Sequence, residues 1–179
     1  MLRYTLPTFL LFVQMVRADE APSFLNEVLP VLTKSGCNQG ACHGKGAGQN
    51  GIKLSLRGYA PDQDYRWLVR EFSARRVQPT EVDASLILTK ASGLVSHEGG
   101  KLFDKSSKEY DTLKRWILAG SPGPKATDPK LTKLSVKPGR ALKFGETASM
   151  QATAEFSDGT SKDVTWLTVF ETNDAAVLA

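Results

Sequence analysis

The stretch Cys37-Asn38-Gln39-Gly40-Ala41-Cys42-His43 holds both cysteines of the chain and one of its two histidines. Two thiols with an imidazole directly behind the second suit covalent attachment of haem. The thiols add across two porphyrin vinyl groups, and the histidine reaches the iron from the same side. The usual spacing is C-x-x-C-H. Here four residues separate the thiols, while Cys42 and His43 stay adjacent as that chemistry requires. A longer spacer can loop outward without moving Cys42 or His43, and Gly40 eases such a loop. Three other readings stay open on the residues alone. The cysteines can form a small structural disulfide in an oxidising compartment. Cys37, Cys42, His43 and His97 can be written as a two-Cys, two-His zinc set, although adjacent Cys42 and His43 serve one tetrahedral ion poorly. A thioredoxin-like dithiol wants C-x-x-C beside a βαβ pattern, which this chain lacks.

Around this motif the chain reads as short helices joined by glycine-rich loops. Gly36 to Gly51 contains six glycines and nothing apolar except Ala41 and Ala47, so it is a loop that no hydrophobic stripe organises. Before it, Ser23 can cap a helix over 24–34 with Phe24, Leu25, Val28, Leu29 and Leu32 on one face. Pro30 calls for a bend or an early end there. Tyr65, Leu68, Val69 and Phe72 predict a second helix over 62–72, and Leu86, Ile87 and Leu88 a third over 84–91. Gly93 to Phe103 is again glycine-rich and carries His97. A fourth helix starts at Ser106 with Glu109 as a capping box, presents Tyr110, Leu113, Trp116 and Ile117, and stops at Gly120.

The two ends differ from this middle. Arg3, the apolar run Leu6 to Val16 and Val16-Arg17-Ala18 have the layout of a secretory signal peptide over 1–18. That run is short for a membrane span and contains Pro7 and Gln14. Export to the periplasm or the cell surface is the expectation. Residues 123–130, within a stretch holding three prolines, read as a linker. Beyond it the apolar period becomes two: Ala148, Met150, Ala152, Ala154 and Phe156 alternate with polar residues, Asp158-Gly159 offers a hairpin turn, and Val164 and Trp166 continue. Fewer than fifty residues follow the linker, against about a hundred in a full sandwich, so residues 131–179 are expected to be an incomplete β-domain and the chain a fragment. The composition, 41% hydrophobic and 23% charged, argues against disorder. A net charge of +4 with both signs interspersed is a poor nucleic-acid signal.

Phe24 to Gly120 resembles the cytochrome-c-like domains of large planctomycete proteins, especially those followed by a bacterial group-2 Ig-like domain. The resemblance rests on Gly36 to Lys45, Gln49-Asn50-Gly51-Ile52-Lys53-Leu54-Ser55-Leu56, Ser85-Leu86-Ile87-Leu88 and Leu113-Lys114-Arg115-Trp116-Ile117. In the β-region Phe156-Ser157-Asp158-Gly159-Thr160 and Val164-Thr165-Trp166 carry it. It implies a mainly α cytochrome-c-like haem domain over 19–122, short helices around the haem, followed by a partial all-β Ig-like sandwich over 131–179. It further implies an exported c-type cytochrome module with one covalent haem c per chain, passing single electrons between a redox donor and an acceptor protein. The Ig-like module would contact protein or carbohydrate. Cys37 and Cys42 would carry the porphyrin and His43 would be the proximal iron ligand. The distal candidate is His97. Met1 and Met15 fall in the signal peptide and Met150 in the β-region, so the haem region offers no thioether. Water or a lysine at the sixth position, with His97 a solvated loop residue, stays open. No nucleophile–base pair stands out, and an enzyme is not expected. The rival is a non-redox surface adhesion protein with a disulfide-stapled helical domain.

Overall fold

The structure, a computed structural model, describes residues 20–143, 145–172 and 174. The expected signal peptide and residues 175–179 lie outside them. Ser23 opens the first helix: its hydroxyl accepts from the Asn26 amide, and its own amide donates to the Glu27 carboxylate at 2.9 Å. Such reciprocal bonds satisfy donors that a helix start leaves without partners. Phe24–Val28 winds as a π-helical turn and passes into α1, Leu29–Lys34. Pro30 has no N–H to offer the carbonyl four residues back, so the backbone widens just ahead of it. This is the form the expected bend takes.

The second helix is α2, Pro61–Tyr65, continued by a π-helical turn over Arg66–Arg70. Tyr65, Leu68 and Val69 face the core, but Phe72 does not. It lies past the helix end, with φ of 49° and 63% of its surface exposed. A short 3-10 turn, Val82–Ala84, precedes α3, Leu86–Ala91, and α4 is Lys108–Leu118. Ser107 rather than Ser106 caps α4, accepting from the Tyr110 amide at 3.2 Å. The predicted face of α4 is the observed one: Tyr110, Leu113, Trp116 and Ile117 are all buried.

Trp116 is the centre of the helical core. Its ring meets Phe24 at 5.8 Å between centroids, and Tyr65 meets Phe24 edge-on at 5.4 Å, an arrangement the ring quadrupoles favour. Trp116 Nε1 donates to Pro122 O, and the Tyr65 hydroxyl donates to Ser121 O, each at 2.9 Å. The segment after α4 is thus bound back onto the core it leaves.

The C-terminal region forms one antiparallel sheet in the order β1-β2-β3, with β1 at Leu131–Lys137, β2 at Gln151–Phe156 and β3 at Ser161–Asp163. Leu134 pairs with Ala154 and Val136 with Ala152. Ala152, Ala154 and Phe156 are buried, as their alternation predicts. The turn falls at Asp158-Gly159: the Asp158 carboxylate accepts from the Thr160 amide and hydroxyl, and Gly159 takes φ of 81°. Val164 and Trp166 do not extend the sheet. Thr165–Leu167 is a 3-10 turn whose Trp166 and Leu167 pack on the helical core.

The expected fold, a mainly α cytochrome-c-like domain followed by a partial all-β Ig-like sandwich, is therefore corrected. Of the α-helices only α4 exceeds six residues, and turns and loops fill most of the space between them. Pro30 interrupts one apolar stripe, Gly93 and Gly120 bound two others, and the stripe at Tyr65 to Val69 ends where Phe72 and Ala74 turn left-handed. The described residues contain a single three-stranded sheet. Its apolar side meets Leu25, Pro30 and Leu167 where a sandwich would supply a second sheet.

One buried contact fixes the loop after the motif to α2. The Asp64 carboxylate, with no exposed surface, accepts from the Ser55 amide and from the Ser55 hydroxyl at 2.6 Å. Burial raises its pKa above the ordinary value, against the pull of the Ser55 bonds. Its linked contribution to stability is fully present below the ordinary carboxylate range and is lost as pH rises through the raised value. Asp64→Asn sets an amide donor against the Ser55 donors and should cost about 1–3 kcal/mol. Urea melts at about pH 4 and about pH 8 check it, with the larger loss expected at the lower pH. An equal loss at both would show that Asp64 does not titrate in this range.

Candidate functional site

Residues 36–44 turn tightly on themselves, and backbone hydrogen bonds do the fastening. The Cys37 amide donates to Leu32 O at 2.9 Å, tying the motif to α1. The His43 amide donates to Cys37 O at 3.0 Å, and the Gly44 amide to Gln39 O at 2.9 Å. The Leu54 amide donates to His43 O at 2.8 Å, closing the loop beyond. These bonds supply the organisation that the glycine-rich sequence lacks in apolar contacts. The left-handed glycines of this loop are Gly36, Gly48 and Gly51; Gly40 is not among them. Gly44 is needed for close approach: a Cβ there would lie 2.1 Å from Asn38 O.

Held this way, Cys37 and His43 face an apolar slot whose walls include Leu32, Leu54, Leu68 and Ile87. His97 enters the same slot from the second glycine-rich loop. Cys42 lies half-buried beside His43, outside the slot lining. Both cysteines are free thiols. Burial, with Cys42 adding to it, pushes the Cys37 thiol up to about 12. It stays protonated at neutral pH, and disulfide exchange, which needs a thiolate, is slow there. Among the described residues no three His, Cys, Asp or Glu side chains cluster closely enough to hold a metal ion, so the two-Cys, two-His set is not assembled.

The His43 and His97 rings are 6.4 Å apart between centres and 14° from parallel. Two imidazoles on opposite sides of one metal ion, each with a ring nitrogen aimed at it, need about 6.2 Å between centres: two metal–nitrogen bonds of about 2.0 Å and about 1.1 Å from each nitrogen to its ring centre. The distance between the ring centres matches that spacing. His97 Nδ1 lies 3.0 Å from Gly100 O. A carbonyl only accepts, so Nδ1 carries a proton, and Nε2 is the nitrogen left to bind a metal when the ring is neutral. His43 Nδ1 is buried with no hydrogen-bond partner. Burial lowers the His43 pKa; the carbonyls of Ile52 and Gln49 oppose this, while His97 and Arg76 add to it. His43 is therefore neutral at pH 7, the form that binds a metal. Gly99 leaves room for the His97 ring, since a Cβ there would lie 3.0 Å from His97 Cε1.

The slot is narrow, about 60 Å³, and adjoins a polar mouth of about 410 Å³. His43, Ile52, Arg76, Leu86, Lys90 and His97 line both. The residue types present are those a haem site uses, two near-parallel imidazoles, a thiol in the same slot and apolar walls, while Cys42 lies outside the slot.

Sequence reasoning singled out the four motif-type residues but missed the walls and Arg76. Arg76 sits in a loop with no periodicity, and only the Arg75-Arg76 doublet ahead of buried Val77 hinted at it.

Gly44→Ala should unfold the motif turn and cost at least about 2 kcal/mol, because backbone cannot yield to the new methyl. Gly46→Ala, with nothing within 4 Å of its Cβ, should leave stability unchanged. Thermal melts of both variants check this, and a harmless Gly44→Ala would contradict the turn described. Compared with models of known protein families, with curated proteins and with solved structures, the chain finds no match.

Proposed function

We propose that this chain binds one haem c covalently and carries single electrons between a donor and an acceptor protein. Cys37 and Cys42 hold the porphyrin through thioethers, His43 is the proximal ligand and His97 the distal one. The observation that carries the reading is the near-parallel pair of imidazoles, 6.4 Å apart between centres, in a slot that Cys37 also lines. Bound there, haem supplies a one-electron ferric–ferrous couple, at a lower potential with a second imidazole than with a thioether.

The remaining roles belong to the chain itself. His97 presents Nε2 because Gly100 O keeps the proton on Nδ1. His43 stays neutral and ready to ligate because its ring is buried. Leu32, Leu54 and Leu68 exclude water from the ligands, which strengthens the electrostatics around them. Cys37, held as a thiol, remains available for attachment in an oxidising compartment. Export is part of the same proposal, since haem is attached to protein outside the bacterial cytoplasm and the first eighteen residues have a signal-peptide layout. No helix among the described residues is long and apolar enough to cross a membrane.

Expression of the full chain with haem-attachment machinery tests this. The intact mass should rise by one haem, and acid–acetone should not extract it. Either single variant, Cys37→Ala or Cys42→Ala, should retain haem through one thioether in reduced yield, and the double variant should release all of it. A bare chain two hydrogens light would mean a disulfide and end the proposal. His97→Ala should turn the ferric spectrum from low-spin to high-spin; an unchanged spectrum would remove His97 from the iron.

A further inference from the structure

A tight turn at the rim of the mouth joins two residues whose chemistry the haem reading does not use. Gln49 N donates to Ile52 O at 2.8 Å and Ile52 N to Gln49 O at 3.0 Å, so Asn50 and Gly51 form the whole connection between them. Both residues are left-handed, with φ of 49° and 77°. A two-residue hairpin loop needs positive φ at both central positions, and Asn followed by Gly adopts it readily. The same dipeptide is chemically labile. Asparagine carboxamides are thermolabile, and a following glycine sets no Cβ between its own amide nitrogen and the carboxamide carbon.

The surroundings of Asn50 leave that lability open. Its side chain and the Gly51 amide make no hydrogen bond among the described residues, and a Cβ at Gly51 would meet nothing within 4 Å. The turn is held by its two backbone bonds and by Arg76 Nη2 on Gly51 O. Asn26 and Asn38 are placed differently. Asn26 Nδ2 donates to Pro129 O at 2.9 Å, and Glu27 follows it. Asn38 has no exposed surface, donates to Thr33 Oγ1 at 2.9 Å, and Gln39 follows it. Asn50 also lines the mouth together with Arg75, Arg76 and Lys90, and no Asp or Glu lines it. Of the nearby carboxylates, Glu71 accepts from Arg76 and Glu98 from Gln49, while the Arg75 side chain makes no bond among the described residues.

We propose that Asn50 is a self-modification site, at which Gly51 and water convert the carboxamide into a carboxylate within a mouth lined by cations. When the turn opens, Gly51 N bonds to Asn50 Cγ. The Cγ–Nδ2 bond breaks, and Nδ2 leaves as ammonia with the proton that Gly51 N gives up. Water then adds to one of the two carbonyls of the cyclic imide and opens the ring. The product is aspartate, or its isomer in which the main chain runs through the former side chain. No oxidant, metal or second protein takes part. Either product adds negative charge beside Arg75 and Lys90, which draws the rim together by charge pairing. The proposal does not depend on haem being bound.

The full chain, held at mildly alkaline pH and body temperature for days and mapped by tryptic digestion with mass spectrometry, tests this. The peptide Gly46–Lys53 should gain the mass difference between a hydroxyl and an amino group and split into two chromatographic forms. It should do so on the order of tenfold faster than the peptides carrying Asn26 and Asn38, and Asn50→Gln should abolish the change. Asn50→Asp supplies the charge without the reaction. Its melting temperature should lie above that of the unaltered chain at low salt and match it at high salt, and adding Arg75→Gln should remove most of the gain. If Asn50 stays intact in the folded chain while the free synthetic peptide Gly46–Lys53 reacts, the turn shields it and the site is overturned. If Asn50→Asp melts below the unaltered chain at low salt, the mouth does not pair with the new carboxylate and that part of the proposal falls.

Discussion

The backbone bonds from Cys37 N to Leu32 O, from His43 N to Cys37 O and from Leu54 N to His43 O hold the candidate site together. They work in sequence. The first sets the motif at the end of α1, the second folds it so that the imidazole returns toward the first thiol, and the third brings Ile52 and Leu54 up as slot walls. Asp64 then secures Ser55, the next residue, to α2. A glycine-rich segment has no apolar side chains to fix its path, so directional bonds must do it. The Leu32 and Asp64 bonds join the loop to helices, and the other two close the loop on itself.

This division explains what could be read from the sequence. The helices were legible where an apolar stripe met the core: Phe24, Val28 and Leu32, and Tyr110, Leu113, Trp116 and Ile117, are buried as their spacing requires. The stripe misled at Phe72, where the chain leaves the helix through left-handed conformations at Phe72 and Ala74. Periodicity records which residues are apolar, and it does not record where a turn ends the helix. That Cys37 and His43 would lie together was legible because motif spacing encodes local geometry. His97 was put forward as a second iron ligand by elimination of the methionines, and the distance between its ring and that of His43 was not legible at all.

The fold class was misjudged for a related reason. An alternating strand such as Gln151–Phe156 shows that one face is buried, and nothing in the alternation says what buries it. Here Leu25 and Pro30, beside the first helix, and Leu167 border the sheet, and Trp166 packs on the helical core beside them. Contacts between the two regions extend this: Asn26 Nδ2 donates to Pro129 O at 2.9 Å, and Lys34 donates to Trp166 O. Arg76 was invisible for a third reason. A cation buried by carbonyls from separate loops has no signature in local sequence.

The central claim is that His43 and His97 hold one iron between them with their rings nearly parallel. Electron paramagnetic resonance of the ferric, haem-loaded chain at low temperature tests it most directly, because the low-spin signal depends on both the ligands and the angle between their planes. Two imidazoles 14° from parallel predict a rhombic low-spin spectrum with three resolved features. A high-spin signal would mean that His97 does not reach the iron, and a single highly anisotropic low-spin feature would mean that the rings lie crossed; either would contradict the site as described.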